Sequence, residues 1–162
     1  MALPTKLKLE VVTPDKRVLS EVVDSVVLPG REGYLGVLPG HAPLLTSLQV
    51  GEVQYTIGAE TGAIALAWGF AEILPESVTV LADLCERPEE IDVARARAKK
   101  DEVERLLRQP PPDFDFERAQ ESLAKALVRI DVATRGVRAI PGKPELRRAP
   151  HVGRMKGEGP ES

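Results

Sequence analysis

The chain has 162 residues, a formal net charge of −3 at pH 7 and a single cysteine, Cys85. This length favours one medium domain, or a small domain with an appendage. The net negative charge argues against non-specific binding to nucleic acid, and one cysteine excludes an intramolecular disulfide.

The N-terminal stretch MALPTKLKLEVV contains no apolar core long enough for a signal peptide. The longest uncharged apolar stretch, Ala63–Ala71, has nine residues, well short of the ~20 that a membrane-spanning helix needs. We therefore expect a soluble chain that reaches a membrane only through a partner.

From Leu7 to about Asp83, apolar and polar residues alternate in short runs rich in Val and Ile. Gly, Pro, Asp and Ser separate these runs at close and regular spacing. The pattern predicts an all-β sandwich or barrel, with no helix in this part of the chain.

The stretch Gly33–Leu45 is unusually apolar for a segment so rich in Gly and Pro. Pro39, Gly40 and Pro43 are expected to turn the chain. Apolar side chains before the turn should enter the core as a strand, and two after it should start the next: Leu35, Val37, Leu38, Leu44 and Leu45. The residues left near the tips should face outward: Gly33, Tyr34, His41 and Ala42.

Two helices are predicted after Glu89, where the sequence becomes rich in Ala, Arg and Glu. Asp92 is a candidate N-cap of the first helix, and the three prolines at 110–112 end it. Asp115 is a candidate N-cap of the second, which should stop near Arg135. Its apolar stripe should comprise Phe116, Leu123, Leu127 and Ile130.

Two helices joined by so short a loop form an antiparallel hairpin. Its faces carry many alanines, and a buried methyl contributes about 0.8 kcal/mol, against ~1.5–3 kcal/mol for a buried Leu or Ile. Docking of this hairpin should therefore be weak and reversible. On pattern alone, however, a hairpin docked permanently on the sandwich is the favoured interpretation.

The remaining segment, 137–162, shows no periodicity and is predicted to be a disordered basic tail. Across the chain the residues needed for catalysis are scattered: the two histidines are His41 and His151, the second of which lies in the tail, and no phosphate-binding loop is present. Cys85 is interpreted as a small buried hydrophobe. We do not expect the isolated chain to be an enzyme, although one using Cys85 or His41 remains a competing hypothesis.

Three stretches then indicate a family: Leu28–Val53 (LPGREGYLGVLPGHAPLLTSLQVGEV), Trp68–Asp83 (WGFAEILPESVTVLAD) and Ile91–Ala96 (IDVARA). In this order they closely resemble the epsilon subunit of bacterial F-type ATP synthase, called delta in mitochondria. The resemblance covers about Leu7 to Arg135. It implies a β-sandwich domain at 1–87 and a helical hairpin domain at 88–136, and it says nothing about the flexible tail at 137–162.

The resemblance also implies a function. Such a chain is a non-catalytic subunit of the central rotor, peripheral on the cytoplasmic side of the cell membrane. Its sandwich contacts the gamma subunit and the c ring, and its hairpin can reach the alpha/beta catalytic head and inhibit ATP hydrolysis. The alternative is a free-standing β-sandwich adaptor or ligand-binding module that reuses the fold.

Site residues follow from the same resemblance. Contacts with the rotor ring are expected from Glu32, Gly33, Tyr34, His41 and Ala42. Inhibitory contacts with the head are expected from Lys125, Arg129 and Arg135.

Some members of this family bind ATP on the folded hairpin, as a regulatory ligand rather than a required cofactor. The matching positions here are Glu86, Ile91, Asp92, Arg95, Ala96 and Arg129. Glu102 and Lys125 depart from the basic residue and the arginine that ATP-binding members carry. Capping and close packing of the helix are an equally open interpretation of the IDVARA stretch.

Overall fold

The computed structural model describes residues 2–135 and the backbone of a short strand at 138–139. Eight strands come first, followed by two helices and the short strand. The strands are β1 (Leu7–Val12), β2 (Arg17–Val23), β3 (Ser25–Gly30), β4 (Gly33–Val37), β5 (Leu44–Leu48), β6 (Gly51–Ile57), β7 (Glu60–Leu74), β8 (Ser77–Glu86) and β9 (Arg138–Ala139). The helices are α1 (Val93–Arg108) and α2 (Phe116–Arg135), preceded by a 3-10 turn at Pro88–Glu90.

The long strand β7 ties the sandwich together. Its first half pairs with β6 and its second half with β5, while β8 runs antiparallel beside it over most of its length. β1 pairs in parallel with β8 and antiparallel with β2, and β3 and β4 complete the order β2-β1-β8-β7-β5-β3-β4. The expected all-β N-terminal part followed by a helical hairpin is confirmed.

The core explains the period of two in the sequence, because successive side chains on a strand point to opposite faces. Leu7, Leu9 and Val11 of β1 are fully buried, and they share one hydrophobic cluster with Val78 and Val80 of the parallel neighbour β8. The sandwich thus carries its own core, independent of the hairpin.

The turn after β4 differs from expectation at one residue. Val37 is buried and Leu35 packs against the core, but Leu38 is 65% exposed, so its predicted place in the core is wrong. The reason is that the strand ends at Val37. Gly40 then adopts φ +85° and donates its N–H to the Pro75 carbonyl at 2.8 Å, which redirects the chain.

Leu44 and Leu45 do begin the next strand, β5, as predicted. Their side chains are nevertheless 41% and 71% exposed. The chain therefore presents an apolar outer surface where these residues follow the turn.

Both helix N-caps are confirmed. The Asp92 carboxylate accepts a hydrogen bond from the Arg95 N–H at 3.0 Å, and Asp115 accepts one from the Arg118 N–H at 3.0 Å. Each cap satisfies an amide that the first helical turn leaves without an intrahelical partner.

The predicted apolar stripe of α2 is wrong as a description of its buried face. Phe116 is 53% exposed and Leu127 is 43% exposed, whereas Ala126 and Val132 are buried. The smaller side chains face inward because α2 lies against both α1 and an alanine-rich surface of β7. Contact with the sandwich is a separate small cluster, formed by Ala63, Ala65, Ile91 and Val132.

Most of the predicted tail, 137–162, lies outside the described residues, and so does His151. Within it, the backbone of β9 pairs antiparallel with Glu60 and Thr61 at the start of β7.

Candidate functional site

A cleft of about 610 Å³ opens between the hairpin and the end of β8. Three local features shape it: β8 ends at Glu86, the 3-10 turn reverses the chain, and the Asp92 cap starts α1 beside α2. The lining residues are Glu86, Glu90, Asp92, Arg95, Ala96, Ala98, Lys99, Glu102, Ala126 and Arg129.

The structure brings together five of the six residues predicted for nucleotide binding, namely Glu86, Asp92, Arg95, Ala96 and Arg129. The sixth, Ile91, is 8% exposed and packs with Ala63 and Ala65 instead. Its role in this structure is to join the hairpin to the sandwich.

Most charges in the cleft are already paired. Arg129 Nε donates to Glu86 Oε2 at 2.5 Å, and Lys99 Nζ donates to Glu102 Oε2 at 3.1 Å. Within the described residues, the Arg95 guanidinium forms no ion pair. An anionic ligand would therefore meet Arg95 as an uncompensated cation, and it would compete with carboxylates for Arg129 and Lys99.

Glu90 anchors the rim of the cleft to the sandwich. Its carboxylate accepts from Lys16 Nζ at 2.6 Å and from the Arg87 N–H at 3.1 Å. These two hydrogen bonds hold the pKa of Glu90 below its ordinary value because they favour the charged form, and the bond from Lys16 has the larger effect.

All three cations predicted to make inhibitory contacts are paired in this docked state. Arg129 holds Glu86, and Arg135 donates to Glu52 on β6. Lys125 Nζ lies 2.6 Å from Glu121 Oε1 on its own helix. Two of the three therefore bind acids of the sandwich.

Sequence reasoning missed two partners on the sandwich side. Glu52 is buried at 8% exposure beneath Arg135, and Trp68 donates its indole N–H to Glu121 at 3.0 Å. Neither belongs to a motif. Glu52 occupies an ordinary outward position of a strand, and its burial depends on where α2 comes to rest.

The predicted rotor-ring residues divide into two groups. Glu32, Gly33 and Tyr34 lie at the β3–β4 turn, where Tyr34 is 62% exposed. His41 and Ala42 lie in the turn beyond the other end of β4, a five-residue strand, which spans roughly 13 Å at ~3.3 Å per residue. The structure does not bring all five to one edge.

His41 has a local structural contact, since its Nδ1 lies 2.7 Å from the Ala42 carbonyl oxygen. Cys85 is 5% exposed, and burial, together with the charges of Glu86 and Glu90, raises its pKa to about 12. The thiol is therefore protonated at neutral pH and packs as a core residue.

The described residues lack two further features. They contain no cluster of three or more His, Cys, Asp or Glu side chains arranged to hold a metal ion. None of the helices within 2–135 is long and apolar enough to cross a membrane.

The fold and the cleft define a β-sandwich subunit with a docked helical hairpin, and comparison with known proteins identifies its family. The model of the ATP synthase delta/epsilon chain β-sandwich domain matches residues 6–88, and that of its long α-helix domain matches 89–134. The chain belongs to the delta/epsilon chain family of ATP synthase, as a non-catalytic subunit.

Two relatives match the chain over most of their own length. The ATP synthase epsilon chain of Syntrophobacter fumaroxidans is 50% identical over 128 residues, which cover 79% of this chain and 96% of the relative. That of Koribacter versatilis is 55% identical over 106 residues, or 65% of this chain and 75% of the relative.

A solved chain shares the fold at lower identity. It comes from the mitochondrial ATP synthase of Euglena gracilis, with a TM-score of 0.66, 22% identity, and coverage of 83% of this chain and 84% of that one. With a sequence identity of 22%, this similarity supports a shared fold between the two chains.

Proposed function

We propose that the chain is part of the central rotor of an F-type ATP synthase, held at the cytoplasmic side of the cell membrane through its complex. Its sandwich contacts the gamma subunit and the c ring, so that ion flow through the ring turns all three together. The observation that carries this proposal is the match of family models to 6–134, supported by the relatives' 96% coverage. The solved chain of similar fold comes from an assembly that contains F1 and the c ring.

The hairpin acts as a reversible brake on ATP hydrolysis in this proposal. Its apolar contact with the sandwich is small, because two of the four buried residues are alanines, and each buried methyl contributes about 0.8 kcal/mol. Ion pairs at the partly exposed rim add roughly 0–1 kcal/mol each. A weakly docked hairpin can leave the sandwich while its helices stay folded.

Release would change the partners of the α2 cations. Arg129 and Arg135 are neutralised by Glu86 and Glu52 in the docked state. Once the hairpin extends, both cations become available to acidic groups of the alpha/beta catalytic head. Docking and inhibition are then mutually exclusive, because they use the same side chains.

The assembled complex provides the test. A chain ending at Arg87 lacks the hairpin and should still assemble with gamma and the c ring, while ATP hydrolysis by the complex should rise. Failure of the full chain to co-purify with any ATP synthase subunit would favour the free-standing module. Unchanged hydrolysis in the truncated complex would mean that the hairpin is not a brake here.

We also propose ATP as a regulatory ligand of the cleft, with Arg95 facing its phosphates. Arg95 lines the cleft without an ion pair among the described residues, while Glu102 places a negative charge on the same wall. Titration of the isolated chain with ATP should show binding that weakens in R95A and strengthens in E102Q. Equal affinity of wild type and both variants would contradict this use of the cleft.

A further inference from the structure

Trp68 occupies an unusual backbone conformation in the middle of β7. Its φ is +60°. In the described part of the chain, Asp113 is the other non-glycine residue with a positive φ. The left-handed region is unfavourable for a bulky side chain because Cβ approaches the following carbonyl. A residue kept there needs a compensating interaction.

The neighbouring residue fixes this irregularity in place. Gly69 has φ +148°, and a Cβ at this position would lie 2.2 Å from the Leu81 carbonyl oxygen. Ala67 and Gly69 are registered with Leu84 and Ala82 of β8, so the backbone is held by pairs on both sides of Trp68. The left-handed backbone is therefore a property of the sandwich, whether or not the hairpin is docked.

The indole of Trp68 makes its contact with the hairpin. It is partly exposed, and Nε1 donates to Glu121 Oε1 of α2 at 3.0 Å. Lys125 and Trp68 both hydrogen bond to Glu121 and lower the pKa of this carboxyl, Lys125 more strongly. The acceptor is thus ionised at neutral pH, and hydrogen bonds to ionised acceptors are stronger than neutral ones.

The position of this bond along α2 gives it a distinct role. Side-chain hydrogen bonds from α2 to described residues of the sandwich involve Glu121, Arg129 and Arg135. Glu121 lies nearest the turn between the helices, where a docked hairpin would begin to lift. Arg129 and Arg135 hold the other half of the helix.

We propose that Trp68 and Glu121 form a latch that holds the tip-proximal half of α2 on the sandwich. The strained backbone at Trp68 is tolerated because it places a large hydrogen-bond donor against the hairpin. A glycine at this position would suit the sandwich better and hold the hairpin less. Only the effect of this latch on ATP hydrolysis rests on the proposed brake function, since docking is a property of the isolated chain.

Amide hydrogen exchange of α2 in the isolated full-length chain tests the latch. W68F keeps a ring but removes the donor, and E121A removes the acceptor from an exposed helix surface, where the fold tolerates it. Each should speed exchange in α2 by about threefold to tenfold. E117A, the same change at an exposed residue in the first turn of α2, is the matched control and should leave the protection of residues 121–135 unchanged.

Non-additivity distinguishes a latch from two separate effects. The double variant W68F/E121A should exchange no faster than the quicker single variant, because both remove one interaction. Additive effects, or unchanged exchange in both single variants, would overturn the proposal.

The variant W68G tests the strain. Glycine relieves the left-handed backbone, so amides of β1 and β8 should exchange more slowly than in wild type while those of α2 exchange faster. Slower or unchanged exchange in both regions would show that Trp68 does not hold the hairpin, and would overturn the proposal.

The assembled complex separates this inference from the proposed brake. A loosened latch should extend the hairpin more often and lower ATP hydrolysis, the opposite of deleting the hairpin. Faster exchange in E121A with unchanged hydrolysis would leave the latch standing and reject the brake. Unchanged exchange in E121A would reject the latch whatever hydrolysis does.

Discussion

Glu52 is the buried charged residue among those that the structure describes, and its environment depends on the hairpin. Its carboxylate accepts from Arg135 and Gln54, and the residue is 8% exposed. A carboxylate removed from water requires such partners, because its desolvation is otherwise uncompensated. The position of α2 thus determines whether this strand residue has a charged partner.

Removal of Arg135 alone should therefore destabilise the fold more than removal of both charges of the Arg135–Glu52 pair. R135A leaves the Glu52 charge partly buried and should lower the free energy of unfolding by roughly 1–2 kcal/mol. Breaking a fully buried ion pair costs about 3–5 kcal/mol, and the loss here should be smaller because the Arg135 side chain is partly exposed. E52Q/R135A should recover part of this loss. Denaturant unfolding measures both, and equal stability of R135A and wild type would show that Glu52 is solvated without its partner.

Acid should weaken the attachment of the hairpin at Glu90 and Glu121. Both carboxyls have pKa values below their ordinary 4.5. A lowered folded pKa means that their stabilisation is complete above the unfolded pKa and is lost as pH falls through the folded value. Lys16 and Arg87 face Glu90, while Lys125, Arg118 and Trp68 face Glu121.

The isolated chain should thus keep its hairpin protected down to about pH 4.5 and lose protection below it. Amide exchange of α2, corrected for the intrinsic effect of pH, measures this loss. The variant E90Q/E121Q should be less protected at pH 7 and show a flatter pH profile. A profile as steep as that of wild type would assign the acid sensitivity to other carboxyls.

At the scale of elements, what could be predicted depended on the range of the interaction. The N-caps at Asp92 and Asp115 were predictable because a cap is decided within four residues. The buried face of α2 was not, since its stripe of large residues suggested a contact that the alanine-rich surface of β7 does not offer. Likewise, the resemblance predicted five lining residues of the cleft, whereas Trp68 and Glu52 gain their partners only through tertiary packing.

The burial of α2 can be tested by comparing two residues of similar chemistry. V132A removes a fully buried side chain from the contact with the sandwich and should cost about 1.5–2 kcal/mol for two methyl groups. L127A truncates a 43% exposed side chain and should cost less, although Leu loses more atoms. The opposite ranking in denaturant unfolding would mean that the predicted stripe, and not Val132, carries the packing of α2.

For the whole molecule, the two hydrophobic clusters imply that the sandwich folds without the hairpin. The larger cluster consists of residues between Leu7 and Cys85, and the smaller one joins Ala63 and Ala65 to the hairpin. Removing the hairpin would expose few large apolar side chains, and it would return Glu52 to water. Docking therefore adds stability without being required for the fold.

A chain ending at Arg87 should accordingly unfold in one cooperative transition, because its core is intact. Trp68 is the sole tryptophan of the chain, so its fluorescence reports hairpin docking directly. The truncated chain should show red-shifted emission relative to full length, since the indole loses Glu121 and gains solvent. Full-length E121A should lie between the two. A truncated chain that unfolds gradually would show that the sandwich depends on the hairpin for its fold. Emission equal to that of the full chain would contradict the contact of Trp68 with the hairpin.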